Sequence, residues 1–325
     1  MSIARFLSHS VMVGVLLLGC SACIEEQDIF IPDVPDPLVS LDFQSPLRDF
    51  YEVQGIDLQN FVINPNQDEH IESVGKSKFF LPKGLFLNAS GVPVTSSVQI
   101  QLLEATSKGD QILYNIASAY GSPSYALESA YFLAARSAEG EVLRVDPLKS
   151  YEVHLPVASS LAGLAVLKGQ WPNARYFDWG LGVGDIRTSE YTLSSNEVIR
   201  GIALRANSLF WLGIGRSIGT PGMVTELCVA GTGDYTPQNT SVFFVLEGSD
   251  RVIELPWQGS SNNPAFCLGG MPSGERGRLI LLSKRPEGVW HFDQRQITVG
   301  GVKQIEALEP AVSSLADIRE VLDSL

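Results

Sequence analysis

Residues 241–257 read SVFFVLEGSDRVIELPW. Two apolar runs flank Gly248-Ser249-Asp250, a short polar turn with a residue free to take positive φ. Apolar runs of four to six residues, rich in Val, Ile and Phe and broken by such a turn, predict a β-hairpin. The same grammar extends outward in both directions. Downstream, GRLILLSK (277–284) and HFDQRQITVGG (291–301) form a second pair, joined through Pro286-Glu287-Gly288. Upstream, PVTSSVQIQLLEA (93–105) alternates with period two, placing Val98, Ile100 and Leu102 on one face and Gln99, Gln101 and Leu103 on the other. SYEVHLPV (150–157) puts Tyr151, Val153 and Leu155 on one face.

Helical periodicity is scarce. YALESAYFLAARSAEG (125–140) is rich in good helix formers. The turn at Ala138-Glu139-Gly140 and the β-like EVLRV that follows favour a strand instead. The last 15 residues, AVSSLADIREVLDSL, are the clear helix. Ser314 and Asp317 make a capping-box-like start, and Leu315, Ile318, Leu322 and Leu325 form an apolar stripe. These patterns predict an all-β chain of two consecutive antiparallel β-sandwich domains with a short C-terminal helix. The expected divisions are a leader at 1–19, a tether at 20–45, a first sandwich at 46–190, a second at 191–308 and the helix at 309–325. The inner boundary is set by WPNARYFDWGLGVGDIRTSE (171–190), Gly- and aromatic-rich and without regular alternation.

The first 23 residues, MSIARFLSHSVMVGVLLLGCSAC, carry Arg5 ahead of an apolar run that ends at Gly19 and Cys20. That is the layout of a secretory signal peptide, and the run is too short to span ~30 Å of hydrocarbon. Leu17-Leu18-Gly19-Cys20 resembles the lipobox of bacterial lipoproteins. The resemblance implies cleavage before Cys20, acylation of its thiol and an anchor in a membrane, with Cys23 as the rival site. Ser21 after the Cys implies sorting to the outer membrane. IEEQDIFIPDVPDPLVS (24–40), with Pro32, Pro35 and Pro37 among acids, reads as a stiff extended tether.

The net charge is -13, without a basic patch. This balance argues against nucleic acid and against lying flat on anionic lipid. Apolar residues make up 45% of the chain, enough for folded cores. Beyond the anchor region only Cys228 and Cys267 remain. Outside the cytoplasm such a pair reads as a disulfide, the other reading being two buried thiols.

Residues 75–157 run GKSKFFLPKGLFLNASGVPV, VQIQLLEATSKGDQIL, LESAYFLAARSAEGEVL, YEVHLP. This order resembles the ZU5-like β-sandwich of bacterial surface lipoproteins, in which a Trp-containing segment and a second β domain follow. The resemblance implies a fold and no active site. Some relatives cleave themselves at His-Phe-Ser, whereas this chain has His291-Phe292-Asp293 and lacks the hydroxyl.

Few constellations suggest chemistry. Gly215-Arg216-Ser217-Ile218-Gly219 fits G-x-S-x-G, with His291 the sole downstream His and Asp250 a candidate acid. A nucleophile elbow needs a helix directly after the Ser, and Thr220-Pro221-Gly222 opposes one. Gly213, Gly215 and Gly219, and also Gly180, Gly182 and Gly184, imitate dinucleotide loops without the helix N-terminus that holds a pyrophosphate. Asn64, Asn66, Asp68 and Glu72 alternate oxygens as calcium loops do, but Glu69 stands where a Gly is needed, so a polar hairpin loop is expected. His9, His70, His154 and His291 show no metal-ligand spacing. Trp171, Tyr176 and Trp179 are the candidate ligand-contact aromatics: exposed, they suit sugar rings or a protein partner, and buried, they fill a core. The expected function is a non-catalytic cell-envelope lipoprotein, structural, adhesive or macromolecule-binding, with a protein or glycan partner, no cofactor and no metal. The alternatives are a carbohydrate-binding accessory lipoprotein and, distantly, a serine hydrolase.

Overall fold

Strands account for 54% of the computed structural model and helices for 6%, so the chain is all-β. The structure describes residues 58–119, 125–157, 160–170, 175–217, 222–231, 234–259, 265–285 and 287–325, all within one compact unit. The leader, the tether, Cys20 and Cys23 lie outside the described residues.

Four sheets stack as layers. Layer I holds β11 (Asp185–Thr192), β12 (Val198–Ala206), β8 (Tyr151–Leu155), β3 (Lys78–Leu81) and β2 (Glu69–Glu72), in that order. Layer II runs β1 (Gln59–Ile63), β5 (Val98–Ala105), β6 (Tyr125–Ser137), β13 (Phe210–Ser217), β9 (Leu164–Gln170) and β10 (Asp178–Leu181). A small ribbon of β4 (Phe86–Leu87) and β7 (Arg144–Val145) flanks this first sandwich. Layer III is β16 (Val252–Glu254), β15 (Thr240–Leu246), β18 (Arg276–Lys284), β19 (Trp290–Thr298) and β21 (Ala311–Val312). Layer IV is β17 (Ala265–Pro272), β14 (Val224–Ala230) and β20 (Lys303–Ala307). Among the described strands, every strand-to-strand ladder is antiparallel except β14 with β20, which is parallel.

Side-chain alternation decides what each gap contains. Val98, Ile100, Leu102, Tyr131 and Leu133 from layer II meet Phe79, Tyr151, Val153 and Leu204 from layer I in one core. The Tyr131 and Tyr151 hydroxyls lie 3.3 Å apart across it, and Tyr151 donates to the Ser208 carbonyl. Leu227, Val229 and Phe266 of layer IV meet Val242, Phe244 and Leu281 of layer III in another. The third core lies between the sandwiches: Leu103, Phe132 and Trp211 pack against Phe243, Ile280 and Leu282. The central strands of layers II and III, β6, β15 and β18, are therefore buried on both faces. This explains the near-continuous apolar runs of β6, β15 and β18, since a strand covered on both sides has no polar face to alternate with.

The expected hairpins form. β15 and β16 pair around 248–250, β18 pairs with β19, and β6 turns at Gly140, where φ is +88°. Two helices complete the shared core. α1 (Lys108–Leu113) is missing from the sequence reading. It is only six residues long and contains Gly109, a poor helix former, but Ser107 and Asp110 cap it reciprocally. α2 (Leu315–Asp323) is the predicted C-terminal helix, capped by Ser314 and burying Ile318 and Leu322. A Cβ on Gly109 would stand 2.2 Å from the Leu322 carbonyl, so the glycine permits the close approach of α1 and α2.

One division moves. The sequence pattern places the end of the first sandwich at residue 190, but β12 pairs with β8 and β13 pairs with both β6 and β9. The first sandwich therefore extends to Ser217, and the Gly-rich 178–192 stretch is β10 and β11 rather than a linker. The segment before β10 instead reaches into layer III. Arg175 pairs with the fully buried Glu254 at 2.9 Å and donates to Ser241 at 2.8 Å.

Candidate functional site

The solvent face of layer I gathers the chemistry. β8 turns Tyr151, Val153 and Leu155 inward, so Glu152 and His154 face out. The neighbouring strands set Lys78 opposite His154 and Phe80 opposite Glu152, with His70 next to Phe80. From the other side come Arg187, Ser189 and Tyr191 on β11. β12 lies between β11 and β8, which puts those strands about 10 Å apart. At the crossing β12 carries only Gly201 opposite Ser189 and Ala203 opposite both Arg187 and His154. Side chains that small let groups from β11 and β8 meet above them.

They meet in a hydrogen-bonded chain. His154 Nδ1 lies 2.6 Å from Ser189 Oγ, and its Nε2 lies 2.8 Å from Glu152 Oε1. Arg187 Nη2 donates to both Glu152 oxygens at 2.7 Å. The Tyr191 ring packs against the imidazole, centroids 5.1 Å apart. A carboxylate only accepts, so Glu152 fixes the imidazole proton on Nε2 and leaves Nδ1 to accept from the Ser189 hydroxyl. Burial holds His154 below its ordinary value, with Arg187 and Lys78 acting in the same direction and Glu152 against it. Burial pushes the Glu152 carboxyl up, but Arg187 and His154 outweigh it and hold the group below the usual range. Beside this chain, Phe80 is 40% exposed and meets His70 edge-on at 4.1 Å.

The other candidates lie elsewhere. Ser217 ends β13, paired with Tyr125, while His291 sits in β19 opposite Ser283 and Val312, in a different layer. The two share no hydrogen bond among the described residues, and the next described element after Ser217 is a strand, β14. Asp250 lies in the β15–β16 turn, where its carbonyl accepts from Gln111. Gly213 and Gly215 are interior strand positions packed on β6. Of the 64–72 stretch only 64–68 is a loop, 69–72 being β2; in the loop Asn64 accepts from Asn66, and Asp68 accepts from the Lys83 amide. Glu72 points to Ser194 and Lys78 instead, so these oxygens do not converge.

Two of the three candidate ligand-contact aromatics are buried rather than exposed. Tyr176 is 8% exposed and Trp179 4%, and Trp171 lies outside the described residues. Trp179 donates its indole N–H to the Ile116 carbonyl at 2.9 Å, and the Tyr176 hydroxyl accepts from the Trp257 amide at 2.7 Å. The Trp179 ring, on β10, lies in the core between the sandwiches, and the Tyr176 ring is buried with its hydroxyl on the Trp257 amide. Neither ring offers a face to a ligand.

Cys228 and Cys267 stand directly opposite each other on β14 and β17, Cα atoms 4.1 Å apart, as a disulfide. The Cys267 amide donates away from β14, to Pro256. This is the close, non-hydrogen-bonded kind of antiparallel pair. Glu226 lies near the sulfurs but pairs with Lys303 at 2.7 Å.

A cavity of about 190 Å³ at the ends of α1 and α2 is lined by Lys108, Leu246, Arg278, Gln296 and Ser324. Lys108 is already committed to the Leu246 carbonyl and Arg278 to Gln294. Among the described residues no helix is long and apolar enough to cross a membrane.

No protein-family model, curated protein or solved structure matches this chain.

Proposed function

We propose that this chain is a non-catalytic cell-envelope lipoprotein, anchored through Cys20 to the outer membrane, whose folded part docks a macromolecular partner on the solvent face of layer I. The observation that carries the docking site is the composition of that face. It is a five-stranded sheet with an exposed aromatic pair, His70 and Phe80, beside a guanidinium, Arg187, whose side chain is 57% exposed. Aromatic and Arg side chains are the groups that anchor protein interfaces. A protein partner is favoured over a glycan, because the rings expected to form a sugar platform, Tyr176 and Trp179, are buried. The anchor rests on the lipobox-like Leu17-Leu18-Gly19-Cys20 and the Pro-rich tether behind it. The first sandwich is proposed as ZU5-like on the segment order at 75–157.

Two measurements test this reading. Acyl labelling and membrane fractionation should both lose the protein in Cys20→Ala, and labelling that moves with Cys23→Ala instead would reassign the anchor. Crosslinking in the native envelope should yield a defined species with the wild-type chain that Phe80→Asp abolishes and Val62→Asp, on the β1 edge, does not. Equal recovery with Phe80→Asp contradicts the docking face.

A further inference from the structure

We propose that Ser189 is an acyl-acceptor residue, its hydroxyl activated by His154 toward donors that carry a good leaving group, such as aryl esters and thioesters. This goes beyond docking, and it assigns chemistry to a serine that no sequence motif marks. A nucleophilic hydroxyl needs a base within hydrogen-bond reach and a third group that orients the base. Ser189 Oγ to His154 Nδ1 at 2.6 Å and His154 Nε2 to Glu152 at 2.8 Å supply both.

The step balances with no change of oxidation state. Ser189 Oγ bonds to the acyl carbon while its proton passes to His154 Nδ1. The bond from that carbon to the leaving oxygen or sulfur then breaks, and His154 returns the proton to the leaving group. The products are an O-acyl serine and a phenol or thiol. Ser189 is half-buried on the solvent face of layer I, with no enclosed pocket around it among the described residues, so the donor brings its own reactivity, and aryl esters fit that requirement. Glu152 is a positioning residue, acting only through the tautomer of His154. Ala203, opposite both Arg187 and His154 and fully buried, is small enough to leave room above it for Ser189 and His154 to meet, and Gly201 lets β12 lie close against the Leu155 carbonyl.

The groups facing His154 fix the pH dependence. They are Glu152 on its own strand, Ser189, Arg187 and Tyr191 on β11, Lys78 on β3, and Arg205, which stands opposite Glu152 on β12. The acceptor form is neutral imidazole. The acylation rate should therefore rise with pH to a plateau, with its inflection below the ordinary histidine value of about 6.5.

The probe is p-nitrophenyl acetate on the full chain, with peptide mapping by mass spectrometry before and after hydroxylamine. Hydroxylamine removes an O-acetyl ester and leaves acetyl-lysine intact. Ser189 should acetylate roughly 100-fold faster in the native protein than in the same protein unfolded in urea. Ser189→Ala should remove the labile acetyl, and His154→Gln should reduce Ser189 labelling to the unfolded rate. Glu152→Gln should slow labelling and move the inflection to lower pH, because Glu152 favours the protonated imidazole. Acetyl groups found only on lysine amines, a Ser189 rate equal in native and unfolded protein, or a rate indifferent to His154→Gln would each overturn the proposal. The native-to-unfolded comparison uses unaltered protein, so it holds even if a variant folds poorly.

Discussion

Glu72 is a single carboxylate that ties together two hairpin tips from different parts of layer I. It accepts from the Ser194 amide at 2.9 Å and from the Ser194 hydroxyl at 2.6 Å, and it pairs with Lys78 at 3.1 Å. Lys76 with Glu197, and Tyr191 with the Lys76 carbonyl, hold the same junction. The two Ser194 hydrogen bonds, with Lys78 behind them, hold the Glu72 carboxyl down at about 2. A depressed acid contributes stability that is present above its unfolded value, about 4.3, and is lost as pH falls toward the folded value. Thermal unfolding followed between about pH 4.3 and about pH 2 should therefore show an acid-side loss that Glu72→Gln flattens. An unchanged acid limb in that variant would remove the clamp from the account. At this scale the sequence was least informative. His154 and Ser189 are 35 residues apart, and nothing local says that Gly201 and Ala203 clear the space between them. Ser217 fits a motif and lies in the wrong setting, whereas Ser189 fits no motif and lies beside a base.

Elements were more legible, wherever period and punctuation agree. The 241–257 hairpin, β5, β8 and α2 follow from alternation, turn residues and a cap. Two features escaped for physical reasons. α1 is too short for its period to register, and pairing partners such as β13 with β6 and β9, or β14 parallel to β20, depend on contacts distant in sequence that alternation does not encode. The cross-strand disulfide closes a separation of 39 residues. Replacing both cysteines by Ala should lower unfolding free energy by about 3–4 kcal/mol in the loop-entropy view, measurable by urea titration. No difference between oxidised and reduced wild-type protein would contradict that. α2 seals the core between the sandwiches, so Leu322→Ala should cost about 2–5 kcal/mol, while Ser314→Ala, which removes only the cap, should cost about 1 kcal/mol. The reverse order would mean that α2 contributes through its own helicity rather than through the core it covers.

The described residues form four layers with three cores, and the middle core belongs to both sandwiches. A sequence read in order suggests two beads on a string, because each sandwich is locally complete. The apolar runs of β6, β15 and β18 carry the contrary signal: neither of their faces is polar enough for solvent. Arg175 and Phe177, just before β10, and Trp179 within it reinforce the junction. Layers II and III should therefore lose protection together, as a single cooperative unit. Native-state amide hydrogen exchange in low denaturant tests this most directly. The amides of β6 in layer II and of β18 in layer III should open with the same free energy, equal to that of global unfolding. Exchange of β14, β15 and β18 at distinctly lower free energy, while β5 and β6 stay protected, would show two independent sandwiches and contradict the shared core.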